Sequence, residues 1–203
     1  DWETAWKAHF TLLRVGNHLV VKPTWQEYLP GSEEIVVELD PGMAFGTGHH
    51  PTTRMCLEEL ERRVVPGMRV LDLGTGSGIL AIAAIKLGAA DVLALDVDAV
   101  AVQAARANFR SNGVARKVRT FQGTLPHARA LPGTCHIVVA NITANAIVGV
   151  ADFLADVLAP DGVVVASGII LERQAEVEMA LQGVLVILDR RYDGDWVTLT
   201  AGR

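Results

Sequence analysis

Two glycine tripeptides are the residues best suited to hold a cofactor: Gly46-Thr47-Gly48 in "PGMAFGTGHHPTT" (41 to 53) and Gly74-Thr75-Gly76 in "VLDLGTGSGIL" (70 to 80). Each follows a β-branched run and precedes a helical pattern, the setting in which a glycine loop meets a ligand at a helix N-terminus. An adenosine cofactor also needs an acidic side chain about 20 residues further on, at the end of the next strand, to accept the ribose hydroxyls. Asp96 stands 22 residues after Gly74 and closes "VLALD", whereas the position 20 residues after Gly46 is Pro66, outside any strand. The second loop is therefore assigned the cofactor, with Gly74, Thr75, Gly76 and Asp96 as contacts. Its spacing is Gly-x-Gly-x-Gly with the bulky Ile79 in the sixth position, which counts against NAD or FAD, and no Gly-x-x-x-x-Gly-Lys-Ser/Thr occurs.

Asp72 lies two residues before Gly74 in an otherwise apolar strand. A buried carboxylate needs a cation or hydrogen-bond donors. A pyrophosphate would repel it and an amino-acid ammonium would not; the alternative is that Asp72 only receives hydrogen bonds from loop amides. Together with Asp96 and the glycine spacing it favours S-adenosylmethionine. Asn141 ends the strand "CHIVVAN" on the same sheet edge. Methyltransferases acting on nitrogen often carry Asn or Asp there, followed by Pro-Pro-aromatic, to accept the substrate's N–H groups. Here Ile142-Thr143-Ala144 follows, so nothing is offered for stacking a flat base, and an aliphatic amine is the better fit. Capping of the next helix is the alternative role. His49 and His50 are the candidate bases. Adjacent side chains point different ways and no third ligand accompanies them, so no metal site is expected; His50 is carried forward as a group that shapes the pocket or relays a proton.

These residues require elements to position them. Strands at 69 to 73, 91 to 97, 117 to 122, 135 to 141 and "VVVAS" alternate with helices, and the turn Pro160-Asp161-Gly162 leads into the last of these. The near-continuous apolar strands predict an α/β fold, a Rossmann-like, mostly parallel seven-stranded sheet with helices on both faces. "VLVILDRRYDGDWVTLTAG" predicts an antiparallel terminal hairpin around Asp193-Gly194, placing one antiparallel strand at an edge. Residues 1 to 34 read as a short helix and a small β-unit, perceived as a linker, and residues 35 to 203 as the catalytic domain. The chain opens at Asp1, so further sequence is expected upstream.

The 203 residues are half hydrophobic with a formal net charge of -5 and two cysteines, Cys56 and Cys135. No apolar run reaches the roughly 18 residues of a membrane span, and no Lys/Arg block offers a non-specific nucleic-acid surface. A soluble, cytoplasmic protein with no direct nucleic-acid binding is expected.

"VLDLGTGSG" resembles the cofactor loop of Rossmann-like S-adenosylmethionine methyltransferases. Together with "DPGMAFGTGHHPTT" and "VANI", in that order and spacing, it makes the whole chain resemble the PrmA family of ribosomal protein methyltransferases. "PGMAFGTGHH" is the more specific part, because ordinary methyltransferases lack it. The resemblance implies multiple methylation of lysine side-chain and N-terminal amines of a ribosomal large-subunit protein, with Thr53, Gly74, Asp96 and Asn141 at cofactor-binding positions. It also implies a separate substrate-recruiting domain, of which residues 1 to 34 would be at most the linker. Gly46 to Gly48 is then a hinged flap, with Phe45 and Gly46 against the cofactor. Another amine as acceptor, or a non-catalytic adenosyl-binding module, are the competing readings.

Overall fold

Alternation along the strands decides which helix layer each side chain meets. The computed structural model describes residues 10–40 and 47–203. Three short strands come first: β1 (Leu13–Val15), β2 (Leu19–Pro23) and β3 (Ile35–Leu39). β1 and β2 pair antiparallel across a turn at Gly16, and β3 lies parallel to β2, giving a separate three-stranded sheet. The boundary expected at residue 34 falls inside this sheet, since "IVVEL" completes it rather than opening the large one. The short helix expected near the start falls on residues outside those described.

The large sheet contains β4 (Arg69–Leu73), β5 (Asp91–Asp96), β6 (Val118–Gln122), β7 (Cys135–Asn141), β8 (Leu158–Ile170), β9 (Val186–Asp193) and β10 (Trp196–Gly202), in the order β6-β5-β4-β7-β8-β10-β9. The fold is α/β and Rossmann-like, as the alternation predicts. The chain walks outward from β4 to β6 and returns to lay β7 beside β4, so the strand order reverses between them. That reversal opens a crevice at the carboxyl ends of the strands. Three details correct the sequence reading. The antiparallel strand β10 is inserted between β8 and β9 and is not itself at the edge. Its residues are apolar or small and buried on both faces, whereas β9 carries Asp189, Arg190 and Arg191 and takes the exposed edge. The hairpin turn is Gly194-Asp195, one residue later than expected, with Gly194 at φ +56°. Pro160 to Gly162 also lie within β8, as an irregularity where pairing steps from Cys135 opposite Leu158 to Ile137 opposite Val163.

The helices are α1 (Pro51–Arg63), α2 (Ile79–Lys86), α3 (Ala99–Ser111), α4 (Ala144–Val157) and α5 (Gln174–Gln182). On one face, Val70, Val92, Ala94, Ile137 and Val139 pack with α1, α2, α3 and the small sheet in a single core. On the other, Leu71, Leu73, Leu93, Val138 and Val164 pack with α4 and α5. By the strand period of two, Asp72, Asn141 and Ser167 point toward the α1 side. Asp72 is in register with Val139, and Asn141 with Ser167, so three polar residues gather on adjacent strands at the crevice. Among the described residues no helix is long and apolar enough to cross a membrane.

Candidate active site

A cleft of about 700 Å³ opens at the reversal point, a volume suited to a nucleoside-sized ligand. Gly74, Thr75, Gly76, Asp96, Asn141 and Thr53 all line it, and His50 stands at its rim. Seven of the residues singled out from sequence, drawn from four separate segments, thus meet in one place. Asp72 lies under them. Phe45 and Gly46 are outside the described residues.

The glycine loop does not offer its amides to a phosphate. The N–H groups of Gly74 and Thr75 both donate to Leu95 O (2.8 and 3.0 Å), that of Gly76 to Asp96 Oδ2 (2.9 Å) and that of Gly78 to Thr75 O (2.8 Å). A phosphate cradle needs such donors free. Gly74 has a second constraint: at φ +75° a Cβ would fall 2.3 Å from Ile142 Cγ2, so the loop and the segment after Asn141 touch at van der Waals contact.

Asp96 accepts from Gly76 N through one oxygen and from Asp98 N (2.9 Å) through the other. A carboxylate has about four acceptor positions, so two remain for a vicinal diol. Asp72 is buried, with Oδ2 held by the Thr75 hydroxyl at 2.7 Å, while among the described residues Oδ1 has no hydrogen-bond partner. Burial pushes its carboxyl up to about 7, against the Thr75 hydroxyl and the Ala81 amide, and the Asp96 charge adds to the rise. An orphaned buried acceptor beneath a cleft is a place for a cation or a donor from outside the chain. Three carboxylates, Asp72, Asp96 and Asp98, therefore surround a site that suits a positively charged ligand and disfavours an anion.

At the other end of the cleft, Asn141 Nδ2 donates to Thr53 Oγ1 at 3.1 Å. This leaves Oδ1 as the acceptor, and the helix behind it is capped by Thr143 instead, through Ala146 N. Asn141 is thus free of the capping role that was its alternative. His49 and His50 diverge as expected: His49 packs edge-on against Phe10 in front of the small sheet, and His50 against Trp196 on β10, ring centroids 5.6 and 4.7 Å apart. His50 Nδ1 caps α1 by accepting from Thr52 N (3.3 Å) and lies 2.8 Å from Thr52 Oγ1, which leaves the ring hydrogen on Nε2. No group of metal ligands exists among the described residues.

Sequence reasoning missed the residues behind this first layer. Trp196 packs edge-on to His50 from a strand 146 positions away. Ser167 Oγ lies 2.6 Å from Thr198 Oγ1 and donates to Thr52 O at 3.3 Å, fastening the start of α1 to β8 and β10. None lies in a recognisable motif; only their polar type inside apolar strands marked them. Burial pushes the Cys56 thiol up to about 12 and raises that of Cys135, so neither is a nucleophile at neutral pH.

With this geometry in place, comparison with known proteins decides the family. The family model for ribosomal protein L11 methyltransferase (PrmA) matches residues 1–203. The chain belongs to the PrmA family. A curated PrmA relative from Desulfitobacterium hafniense is 50% identical over 202 residues, covering 99% of this chain and 64% of its own length. One from Symbiobacterium thermophilum is 49% identical, covering 99% and 65%. The chain therefore spans slightly less than two thirds of the length of these PrmA proteins. The crystal structure of a ribosomal protein L11 methylase from Lactobacillus delbrueckii subsp. bulgaricus superposes with a TM-score of 0.88 at 34% identity, covering 95% of this chain and 98% of that one. A geranyl diphosphate methyltransferase solved with S-adenosylmethionine shares the fold at 15% identity and TM-score 0.62.

Proposed function

We propose that this PrmA-family chain is the catalytic part of an S-adenosylmethionine-dependent protein N-methyltransferase, acting in the cytoplasm on lysine side-chain and N-terminal amines of a ribosomal large-subunit protein. The observation that carries the cofactor half is the loop itself. The amides of Gly74, Thr75, Gly76 and Gly78 are satisfied internally while, among the described residues, a buried Asp72 oxygen lies unpartnered beneath them, which suits a phosphate-free, cationic adenosine ligand. The residues fit such a ligand. Asp96 would hold the ribose, Gly74, Thr75 and Gly76 the backbone-lined wall beside it, and Asp72 the amino-acid ammonium, with Thr53 and Asn141 closing the far end. When bound, the cofactor supplies a methyl group already activated on a sulfonium sulfur.

What remains for the protein is to present a neutral amine in line, and the rate comes chiefly from orientation. Asn141 does this through Oδ1, held by the Thr53 hydroxyl behind it. Removing a proton from a lysine of pKa about 10.4 at pH 7 costs roughly 4 to 5 kcal/mol, reduced by desolvation and by positive charge nearby. His50, whose Nδ1 accepts from Thr52 N and whose Nε2 therefore carries the ring hydrogen, stands at the rim and shapes the pocket there. The small N-terminal sheet is the link to the substrate-recruiting region that the family resemblance implies.

The acceptor is tested by incubating the full-length protein and radiolabelled S-adenosylmethionine with a lysate of cells lacking it. Label in one ribosomal protein supports the proposal. Label confined to RNA or small molecules overturns the acceptor, and cofactor binding without transfer overturns the catalytic role.

A further inference from the structure

We propose that Asn108 on α3 is a positioning residue for cofactor binding, which sets the glycine loop by clamping it to the end of the small sheet. This rests on the cofactor reading above and deepens it.

The side chain of Asn108 is 1% exposed and makes three hydrogen bonds to two distant backbone segments. Its Nδ2 donates to Ser77 O at 2.8 Å, inside the loop between Gly76 and Gly78, and to Asp40 O at 3.1 Å, just past β3. Its Oδ1 accepts from Asp40 N at 3.0 Å. One turn later Asn112 repeats the pattern on β3, with Oδ1 accepting from Glu38 N (2.9 Å) and Nδ2 donating to Glu38 O (2.6 Å) and, along the helix, to Asn108 O (2.8 Å). The two amides at i and i+4 act as a surrogate strand edge for β3, but only Asn108 reaches the loop.

The neighbours of Asn108 press on the same point. A Cβ on Gly78, whose φ is +85°, would lie 2.5 Å from Phe109 Cε1 and 3.3 Å from Ala105 Cβ. Gly78 is also the residue from which α2 begins, without a side-chain cap. The loop is therefore backed from below by α3 through two side-chain contacts and one directed hydrogen bond, and that bond holds the carbonyl side of the Ser77–Gly78 peptide, whose N–H side donates to Thr75 O at 2.8 Å. That peptide lies between Gly76, whose N–H is paired with Asp96, and the start of α2. Loss of the Ser77 contact would remove one of the hydrogen bonds that set this peptide, and so loosen the turn that aligns Gly76 with Asp96, and with it the ribose carboxylate. Loss of the Asn112 contacts would loosen β3 to a similar degree without touching the loop.

This difference makes the test. Asn108→Ala and Asn112→Ala are compared in the purified protein by thermal melting, by calorimetric titration with S-adenosylmethionine and by steady-state kinetics. Asn108→Ala is expected to raise the cofactor Kd and cofactor KM at least tenfold, with acceptor KM and kcat at saturating cofactor within twofold of the parent. Asn112→Ala is expected to lower Tm comparably while holding the cofactor Kd within twofold. Equal shifts in Kd for the two variants, or a parent-like Kd in Asn108→Ala, overturn the proposal. A parent protein that binds no S-adenosylmethionine overturns the proposed cofactor instead. The clamp is then read from amide hydrogen exchange across Gly76 to Leu80, where faster exchange in Asn108→Ala than in Asn112→Ala supports it and equal rates overturn it.

Discussion

A carboxylate enclosed by apolar strands titrates where its surroundings place it, and Asp72 has been moved from an ordinary value of 3.8 to about 7 by burial. The folded, ligand-free protein keeps a proton on this group that the unfolded chain has released across the window from about pH 4 to pH 7. The folded state then binds more protons than the unfolded one, so this group's contribution to stability falls as pH rises through that window, and the full cost stands above pH 7. A shift of this size is on the order of a few kcal/mol. Thermal melts of the ligand-free protein should therefore show Tm declining between pH 5 and pH 8 by several degrees more than in Asp72→Asn, which cannot ionise. Parallel pH profiles for the two proteins would show that Asp72 ionises freely in the fold. Asp72, Gly74 and Asp96 were legible in the sequence because their roles follow from local spacing on one strand and the next. Trp196, Ser167 and Asn108 were not, because each acts on a segment brought close only by the tertiary fold.

Between elements, the close approaches are made by glycine. Gly168 on β8 lies at φ +83°, where β8 carries Ser167 and Gly168 opposite the single residue Thr198 of β10, so the strand bulges toward Asn141 and Ile142. A Cβ there would fall 2.2 Å from Ile142 O. Ile142 is thus bracketed, its carbonyl against Gly168 and its side chain against Gly74, and this bracket sets the backbone that carries Asn141. Gly168→Ala should lower Tm by several degrees and kcat at least tenfold. Gly113→Ala serves as the comparison, since Gly113 has φ +69° but open space around it, and so carries only the cost of about 1 kcal/mol for a left-handed alanine. A Gly168→Ala protein as active as Gly113→Ala would show that Ile142 yields without disturbing Asn141. The same scale explains what the sequence hid. "IVVEL" has the pattern of a strand in either sheet, and only its pairing with β2 assigns it. The hairpin was readable from Gly194, but the insertion of β10 beside β8 depends on burial of both its faces.

Across the whole molecule, the small sheet is bound into the main core. Strands of three to five residues bury too little surface to stand alone. Their inner side chains, Val15, Leu19, Val21, Val37 and Leu39, share one apolar cluster with Leu57 and Leu60 of α1, Ile82 of α2 and Phe109 of α3. Polar fastenings surround that contact. The Glu61 carboxylate accepts from Asn17 N (2.8 Å) and His18 N (2.7 Å) at the β1–β2 turn, and Lys86 Nζ donates to Val36 O at 2.5 Å on β3. A shared core and ties on both sides make separate unfolding of the small sheet unfavourable. The tryptophans supply the test, since Trp25 follows β2 of the small sheet and packs edge-on to Phe10 while Trp196 opens β10 of the large sheet. Proteins retaining only Trp25 or only Trp196 should melt in a single transition at coincident temperatures by fluorescence and by far-ultraviolet circular dichroism. Glu61→Ala removes two charge-assisted hydrogen bonds at a partly exposed turn, a loss of about 1 to 2 kcal/mol, and should lower both midpoints together. A Trp25 signal that melts ahead of the rest, in the parent or in Glu61→Ala, would make the small sheet an independent unit resting against the catalytic fold.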